Sequence, residues 1–405
     1  MFRKLMPVTW TLVLTTILTA CGGASAAKAP TIAPAATVAA TAAPAATVAA
    51  TTAPAATVAA TAAPAATVAA TAAATAAPVA TTAPAATAGS ITADRTGWPA
   101  KFRLGLFAND DSKATLQLYE AFRKLLEDRL GIPVEVTTGT SYSAVVEAMR
   151  ADQVEGMEVG PFAYVLAVQE ANAEAVAVVI TPGTSKGDVV YDPTAPTAYY
   201  STIITKKGSG IATLSDLKGK SFAFVDPAST SGHLSPKTLL VKSGLNPDTD
   251  LKATFAGSHP TAVLSVWNGT TQAGATFEGN LYTLASQGQI EFCGFPDGII
   301  GKPRTPAEIK AVYDSCPDGK IAIIAYSDPI PNTPFALNKN LPESFKQAVR
   351  SVLLEVKDHP EIVKGLKQWY VDPTKDMGLS QLDSYYDSLR DIAKLLNLDL
   401  KKLAK

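Results

Sequence analysis

Three consecutive hydroxyl residues, Ser229, Thr230 and Ser231, stand where a predicted strand passes into a predicted helix. The strand is the apolar segment 221–225, and the helix is predicted to begin at Gly232. The first turn of a helix presents unpaired backbone N–H groups and about half a positive charge. A single serine or threonine is enough to cap a helix. Three hydroxyls in a row therefore predict a site for an oxyanion, held without Lys or Arg.

Three other predicted helices also begin with small polar residues after a strand. They follow the segments 139–143 (GTSYS), 160–161 (GP) and 257–260 (GSHP), which place Tyr142 and His259 at helix starts. In doubly wound sheets, ligands bind beyond the carboxyl ends of the strands, so we expect these turns to face one crevice. The pKa of a free histidine is about 6.5. A bound oxyanion is expected to favour charged His259, and affinity would then fall as the pH rises.

The elements that carry these turns alternate between strand and helix. In the first part of the chain, strands are predicted at 101–107, 134–137, 154–159 and 175–181, with helices at 113–130, 141–151 and 160–172. The second part has predicted strands at 200–206, 221–225, 252–255, 273–276 and 320–326, and helices at 232–243, 260–268, 343–356 and 382–396. This order predicts an α/β protein with two lobes, each a sheet covered by helices.

The first 95 residues are predicted to lie outside the folded body. Arg3 and Lys4 precede a short apolar segment at 8–18, which is typical of a secretory signal peptide over 1–20. The sequence LTAC ending at Cys21 resembles the bacterial lipobox, so Cys21 is expected to carry a lipid; the alternative is an ordinary signal with an incidental cysteine. The repeat APAATVAATA lacks large side chains, and it predicts a disordered tether over 21–95.

Charge and motif content exclude several classes of function. The net charge of −1 gives no electrostatic footprint for nucleic acid. Neither G-x-S-x-G nor H-E-x-x-H occurs, and three scattered histidines offer no metal spacing, so neither a cofactor nor a metal is expected. Ser229 or Thr230 with His259 imitates a nucleophile–base pair, which keeps a hydrolase as an alternative. Cys293 and Cys316 either form a disulfide, as is common in exported proteins, or remain free thiols.

Four segments together resemble one known family of binding proteins. They are SYSAVVEAMRADQVEGMEVGPFAYVLA, VDPASTSGHLSPKTLL, AGSHPTAVLSVWNGTTQAGATFEG and SDPIPNTPFAL, in this order. They look like conserved blocks of the phosphate/phosphite/phosphonate-binding proteins of ABC importers, and the resemblance covers about 101–396. It implies a two-lobed type II periplasmic-binding fold that closes like a hinge, with crossings near Ser201 and Ala325. Lobe 1 would comprise 96–201 and 325–405, and lobe 2 would comprise 202–324.

The same resemblance implies roles for individual residues. Ser229, Thr230 and Ser231 would coordinate phosphorus oxygens, with His259 as a further donor. Aromatic walls and a distal acid would complete the pocket: Tyr142, Tyr200 or its neighbour Tyr199, and Glu278 near the end of the ligand away from the oxyanion. The implied protein is a monomeric, extracytoplasmic lipoprotein that delivers a phosphonate, phosphite or phosphate to an ABC permease and its ATPase. The alternatives are a sensor that feeds a membrane kinase and an exported phosphate-ester hydrolase.

Overall fold

The computed structural model describes residues 94–108, 111–186, 189–398 and 400. The predicted signal peptide at 1–20, the predicted lipid attachment at Cys21 and the predicted tether up to residue 93 lie outside these described residues. The strands of the described part are β1 Phe102–Phe107, β2 Val134–Gly139, β3 Gly156–Glu158, β4 Ala173–Ile180, β5 Ala198–Tyr199, β6 Ser201–Lys206, β7 Ser221–Phe224, β8 Lys252–Phe255, β9 Ala273–Phe277, β10 Ile321–Tyr326, β11 Ile330–Pro331, β12 Pro334–Asn338 and β13 Trp369–Val371.

Helices alternate with these strands, as the sequence predicts for an α/β fold. They are α1 Ser112–Leu130, α2 Tyr142–Arg150, α3 Pro161–Glu170, α4 Ser235–Lys242, α5 His259–Trp267, α6 Glu278–Ser286, α7 Pro306–Ser315, α8 Glu343–Glu355, α9 Pro360–Leu366 and α10 Asp387–Leu395. Local sequence sets their ends. Asp111 caps α1 by accepting a hydrogen bond from Ala114 N, and Gly131 ends α1 with a left-handed φ of 66°.

Lobe 1 is built on a six-stranded sheet in the order β13-β4-β12-β3-β1-β2. β1 pairs in parallel with β2 and β3, whereas β12 runs antiparallel between β3 and β4. Helices α1, α2, α3, α8, α9 and α10 bury their apolar faces against this sheet in one continuous core. The carboxyl ends of β1, β2 and β3 therefore point to the same edge of the sheet, where α2 and α3 begin.

Lobe 2 is built on a five-stranded sheet in the order β10-β6-β9-β7-β8. One face packs with α4 and α7 around Phe222, Leu240 and Tyr313, and the other packs with α5 and α6 around Val263 and Leu281. The chain enters this lobe through β5 and leaves it through β11. These two short strands pair with each other as an antiparallel ribbon between the sheets.

Several elements differ from the sequence prediction. The predicted helix at 232–243 is preceded by a π-helical turn, Thr230–Leu234, and the predicted helix at 382–396 begins as a 3₁₀ turn, Leu382–Tyr386. The sequence analysis did not predict β12, although it lies in the centre of the lobe 1 sheet. Its segment begins with Pro334, and proline is compatible with a buried strand only at its start or at an irregularity.

Cys293 and Cys316 form a disulfide in the structure. The bridge joins the segment after α6 to the end of α7, so it encloses the loop 294–305. Gly301 of this loop donates its backbone N–H to the carboxylate of Glu278, the first residue of α6.

Candidate functional site

The three hydroxyl residues occupy the turn between β7 and α4. Ser229, Thr230 and Ser231 are only 1–3 % exposed. The Ser229 hydroxyl accepts a hydrogen bond of 3.0 Å from Gly232 N and so caps the π-helical turn. A side chain at Gly232 would collide with Val225, because a Cβ there would lie 2.3 Å from the Cβ of Val225. The local sequence therefore allows a tight turn that concentrates hydroxyls at one helix start.

Thr230 connects this turn to lobe 1. Its hydroxyl oxygen accepts a buried hydrogen bond of 2.8 Å from the backbone N–H of Phe162, in the first turn of α3. The residue preceding α3 is Gly160, which has no side chain with which to cap the helix. A Cβ at Gly160 would lie 3.3 Å from Tyr142 and 3.6 Å from the Thr230 hydroxyl. Helix starts from both lobes therefore meet at Thr230.

Two tyrosines complete the wall on the lobe 1 side. Tyr142 begins α2, stacks on Phe107 with ring centroids 4.2 Å apart, and interacts through its hydroxyl with Ser229. The Tyr199 hydroxyl interacts with Ser231 and Thr230. Burial raises the pKa of Tyr142 above its usual range and that of Tyr199 to about 12. Both phenols therefore keep their protons at neutral pH and are available as donors.

His259 lies at the first position of α5 and is buried against Phe277, with ring centroids 4.8 Å apart. Its Nε2 lies 3.5 Å from the Ser229 hydroxyl, and its Nδ1 lies 3.1 Å from the Thr276 hydroxyl. Burial lowers the pKa of His259 to about 3. The ring is therefore neutral at neutral pH, and a neutral ring donates through only one nitrogen. That a bound oxyanion favours the charged ring stays a prediction.

We call Ser229, Thr230, Ser231, Tyr142, Tyr199 and His259 the hydroxyl cluster. It combines five hydroxyls, one imidazole and the first turns of α2, α3 and α5 with the π-helical turn. The carboxylate of Asp226 lies beside it and accepts from Ala228 N at 2.7 Å, and burial raises its pKa. Donors supplied by hydroxyls and helix N-termini are suited to a small oxyanion. The arrangement brings together six of the positions considered from the sequence.

Tyr200 and Glu278 make their contacts with residues outside the hydroxyl cluster. The ring of Tyr200 packs in the lobe 2 core against Tyr326, with centroids 5.9 Å apart. Successive residues of an extended chain point to opposite faces, so Tyr199 rather than Tyr200 faces the hydroxyl cluster. The backbone N–H of Glu278 donates a hydrogen bond to the backbone oxygen of Tyr200. Its carboxylate accepts from Gly301 N at 2.9 Å, in the loop 294–305.

Glu278 belongs to a second polar group, which we call the charged cluster: the buried Glu278 and Tyr326, the buried side chain of Arg304, and the partly exposed Asp297. The Arg304 guanidinium donates two hydrogen bonds of 2.8 Å to Asp297, and it stacks on the ring of Phe295. The Tyr326 hydroxyl is near enough to Glu278 to shift its pKa, but the pair falls outside hydrogen-bond geometry. Burial raises the pKa of Glu278.

The geometry at Ser229 differs from that of a hydrolytic nucleophile and base. The Ser229 hydroxyl and His259 Nε2 are 3.5 Å apart, longer than the usual nucleophile–base contact of about 2.6–3.2 Å. The other ring nitrogen faces the hydroxyl of Thr276, where a catalytic histidine in a triad is oriented by a carboxylate. Within the described residues, no group of three or more His, Cys, Asp or Glu is arranged to hold a metal ion.

Comparison with known proteins identifies the family. A family model described as "ABC transporter, phosphonate, periplasmic substrate-binding protein" matches residues 104–381, more than half of the chain. The chain belongs to this family. Its members are substrate-binding transport proteins that work outside the cytoplasm. In the part of the chain that the structure describes, no helix has the length and apolar character needed to cross a membrane.

Two curated relatives are similar to parts of the chain. The Phosphate-import protein PhnD of Mycolicibacterium smegmatis is 33% identical over 198 residues, covering 47% of this chain and 58% of that protein. The Phosphonates-binding periplasmic protein of Escherichia coli is 24% identical over 261 residues, covering 64% of this chain and 66% of that protein. The chain thus spans about three-fifths to two-thirds of the length of these relatives.

Two solved structures share the fold. A binding protein component of an ABC phosphonate transporter from Pseudomonas aeruginosa aligns with a TM-score of 0.52 at 20% identity, covering 75% of this chain and 96% of that chain. PhnD1 from Prochlorococcus marinus, in complex with methylphosphonate, aligns with a TM-score of 0.56 at 18% identity, covering 74% and 99%. The predicted two-lobed fold of type II periplasmic binding proteins is confirmed.

The sequence analysis missed three contributors to the hydroxyl cluster. The N–H of Phe162 is a backbone group, so its residue type carries no signal. Thr276 and Asn280 lie behind His259. Asn280 Nδ2 donates a hydrogen bond of 3.1 Å to Thr276 Oγ1. Their spacing of four residues across the start of α6 is a weak signal, because such pairs are common in helices.

Proposed function

We propose that this protein captures a small phosphorus oxyanion, a phosphonate, phosphite or phosphate, at the hydroxyl cluster and delivers it to an ABC importer. The observation that carries the proposal is the contact of Thr230 with the start of α3. It joins the hydroxyl turn of lobe 2 to a helix N-terminus of lobe 1, where N–H groups and hydroxyls converge. A tetrahedral anion at this point would bind both lobes at once and so favour their closed arrangement.

The neutral character of the cluster supports this class of ligand. Its hydroxyls and helix ends donate hydrogen bonds without a fixed positive charge, and a phosphorus oxyanion offers several strong acceptors on one centre. The names of the relatives agree with this class: a phosphate-import protein, a phosphonates-binding protein and a fold relative in complex with methylphosphonate. The three ligands share the oxyanion that the cluster would hold.

We also propose how the N-terminal 95 residues are processed and where the two lobes divide. Residues 1–20 would be removed as a signal peptide, and Cys21 would be acylated, so that residues 21–95 hold the body away from the membrane. Lobe 1 would comprise 96–201 and 325–405, and lobe 2 would comprise 202–324, with the β5–β11 ribbon at the hinge. A monomer is sufficient, because the hydroxyl cluster is formed within one chain.

Calorimetric titration of the full-length protein tests the proposal. The ligand panel comprises phosphate, phosphite, methylphosphonate and aminoethylphosphonate, with sulfate as a comparison anion. We expect at least one phosphorus ligand to bind with a Kd below ~10 μM, equivalent to about −7 kcal/mol. Binding of every panel member weaker than ~1 mM, about −4 kcal/mol, would contradict the proposal.

The variant Thr230→Val tests the observation on which the proposal rests. It removes a buried hydroxyl and leaves Phe162 N without its partner, so we expect affinity to fall by about 100-fold, or ~2.7 kcal/mol. Thr238→Val is the matched control, since Thr238 is also buried but its hydroxyl donates to Leu234 O, the residue that precedes α4. Thermal unfolding of each variant separates loss of binding from loss of folding. Unchanged affinity in Thr230→Val would remove this turn from the site.

A further inference from the structure

A row of buried side chains lies behind the hydroxyl cluster and ends at His259. Asn280 Nδ2 lies 3.1 Å from the Thr276 hydroxyl, which lies 3.1 Å from His259 Nδ1. His259 Nε2 then faces the Ser229 hydroxyl at 3.5 Å. All four residues are at most 5 % exposed. This row, which we call the amide–hydroxyl relay, runs from the start of α6 into the proposed ligand site.

Three elements of lobe 2 fix the relay. Thr276 is the fourth residue of β9, and Asn280 follows it in the first turn of α6. His259 begins α5, which packs directly on β9. A strand and two helix starts therefore hold the three side chains, and none of them lies on a long loop. Their geometry is set by the core of the lobe.

The chemistry of each group gives the relay a direction. The amide nitrogen of Asn280 only donates, so the Thr276 oxygen accepts. The Thr276 hydroxyl has a single proton, and the neighbour left for it is Nδ1 of His259. An Nδ1 that accepts carries no proton. Because a neutral imidazole has one N–H, that proton must be on Nε2.

We propose that Thr276 and Asn280 are positioning residues that hold His259 as its Nε2–H tautomer, so that the ring donates a hydrogen bond to an unprotonated oxygen of the bound oxyanion. This inference rests on the proposed function and deepens it, since it assigns a donor role to a neutral ring. With the opposite tautomer, the lone pair of Nε2 would face the anion and repel it. The relay thus decides whether His259 supports or opposes binding.

Asn280→Asp reverses the relay with a minimal change of shape. An ionised carboxylate only accepts, so the Thr276 proton would turn to Asp, and Thr276 would then accept from an Nδ1–H. Thr276→Val removes the relay without adding charge, and Thr276→Ser preserves it. The charge effect of Asp is therefore distinguished from the tautomer effect by comparing the first two variants.

The test is ¹⁵N NMR of the imidazole rings in the full-length protein, with calorimetry against phosphate and methylphosphonate. The sequence contains three histidines, so His259→Gln assigns the signal. We expect protonated Nε2 in the wild type and in Thr276→Ser, and protonated Nδ1 in Asn280→Asp. Loss of one hydrogen bond to an anion predicts affinity about 10- to 100-fold weaker in Asn280→Asp and weaker also in Thr276→Val.

Two results would overturn the relay. One is an Nδ1–H tautomer in the wild type, and the other is unchanged tautomer and affinity in Asn280→Asp. The tautomer is read from the free protein and needs no ligand. If no phosphorus ligand binds but the wild type shows Nε2–H and Asn280→Asp shows Nδ1–H, the proposed function fails while the relay stands.

Discussion

The hydroxyl cluster and the charged cluster are both polar, but they differ in how they contain charge. In the hydroxyl cluster the donors are neutral: hydroxyls, an imidazole with a pKa lowered to about 3, and helix starts. In the charged cluster Arg304 is held by Asp297, and Glu278 accepts from Gly301 N. The first offers neutral hydrogen-bond donors to an anion, and the second contains its own counter-charges.

The difference shows why only one of them suits a ligand. An anion that entered the charged cluster would have to displace Asp297 from Arg304, and removing the counter-charge of a buried guanidinium is costly. No ion pair among the described residues involves a member of the hydroxyl cluster, so an anion there would receive hydrogen bonds from neutral groups that the fold already holds in place. We therefore interpret the charged cluster as a support for the loop 294–305, together with the disulfide that encloses this loop.

The largest effect on stability is expected from Arg304→Met. The guanidinium is 2% exposed, so its removal leaves Asp297 and Glu278 without their buried counter-charge. Breaking a fully buried pair costs about 3–5 kcal/mol, and partial exposure of Asp297 reduces our expectation to about 2–3 kcal/mol. The measurement is chemical denaturation at pH 7. Affinity for the oxyanion should change less than about threefold, since no donor of the hydroxyl cluster is touched.

Lys302→Met is the matched control, because Lys302 contacts the same carboxylate of Asp297 from a more exposed position. An exposed ion pair contributes about 0–1 kcal/mol, so this variant should unfold nearly as the wild type does. If Arg304→Met abolished ligand binding at full stability, the two clusters would have to be treated as one site.

The hydroxyl cluster was predictable from sequence to the extent that its signals are local. Hydroxyl residues before Gly232, and Tyr142 and His259 at helix starts, lie next to the elements that position them. The local sequence could not decide whether Tyr199 or Tyr200 faces the cluster. Neighbouring residues in a strand face opposite sides, and the side is decided by pairing of β5 with a distant strand.

Contacts between distant parts of the chain also limited the prediction of the fold. Alternating strands and helices were predicted because each carries its own periodicity. The central strand β12 was missed, because prolines at 329, 331 and 334 obscure its pattern and its pairing with β3 and β4 is non-local. The orientation of Glu278 was likewise set by the loop that carries Gly301, which is 23 residues away in the sequence.

His259 and Glu278 are expected to make contributions to stability that respond to pH with opposite signs. Below a pH of about 6.5 the unfolded chain protonates His259 while the native state, with a pKa of about 3, does not, so stability falls as the pH falls. The free energy of unfolding is therefore expected to be about 2 kcal/mol lower at pH 5 than at pH 8 because of His259. Burial raises the pKa of Glu278, so its contribution falls as the pH rises above the unfolded value.

Denaturation curves of the wild type and of His259→Gln at pH 8 and pH 5 measure the contribution of His259 to the pH dependence of stability. The variant should lose about 2 kcal/mol less stability on acidification than the wild type. His233→Gln provides a comparison within lobe 2, because burial lowers the pKa of His233 to about 4 and predicts a similar change. Parallel curves for the wild type and His259→Gln would show that His259 is charged in the native state.

The smallest effect is expected from Glu278→Gln, which is also the sharpest test of whether the clusters are separate. Gln retains an oxygen that accepts from Gly301 N, so we expect the free energy of unfolding to change by less than ~1 kcal/mol. Relative affinities for phosphate, phosphite and aminoethylphosphonate should stay within about twofold, because the carboxylate faces the loop 294–305 rather than the hydroxyl cluster.

Glu291→Gln, an exposed substitution of the same type, sets the background for this measurement. Calorimetry of both variants with the three ligands gives the comparison directly. A selective loss of about tenfold or more for aminoethylphosphonate would mean that an ammonium tail reaches Glu278. In that case the position assigned to Glu278 by its resemblance to the family would be correct, and the charged cluster would form the far end of the ligand site.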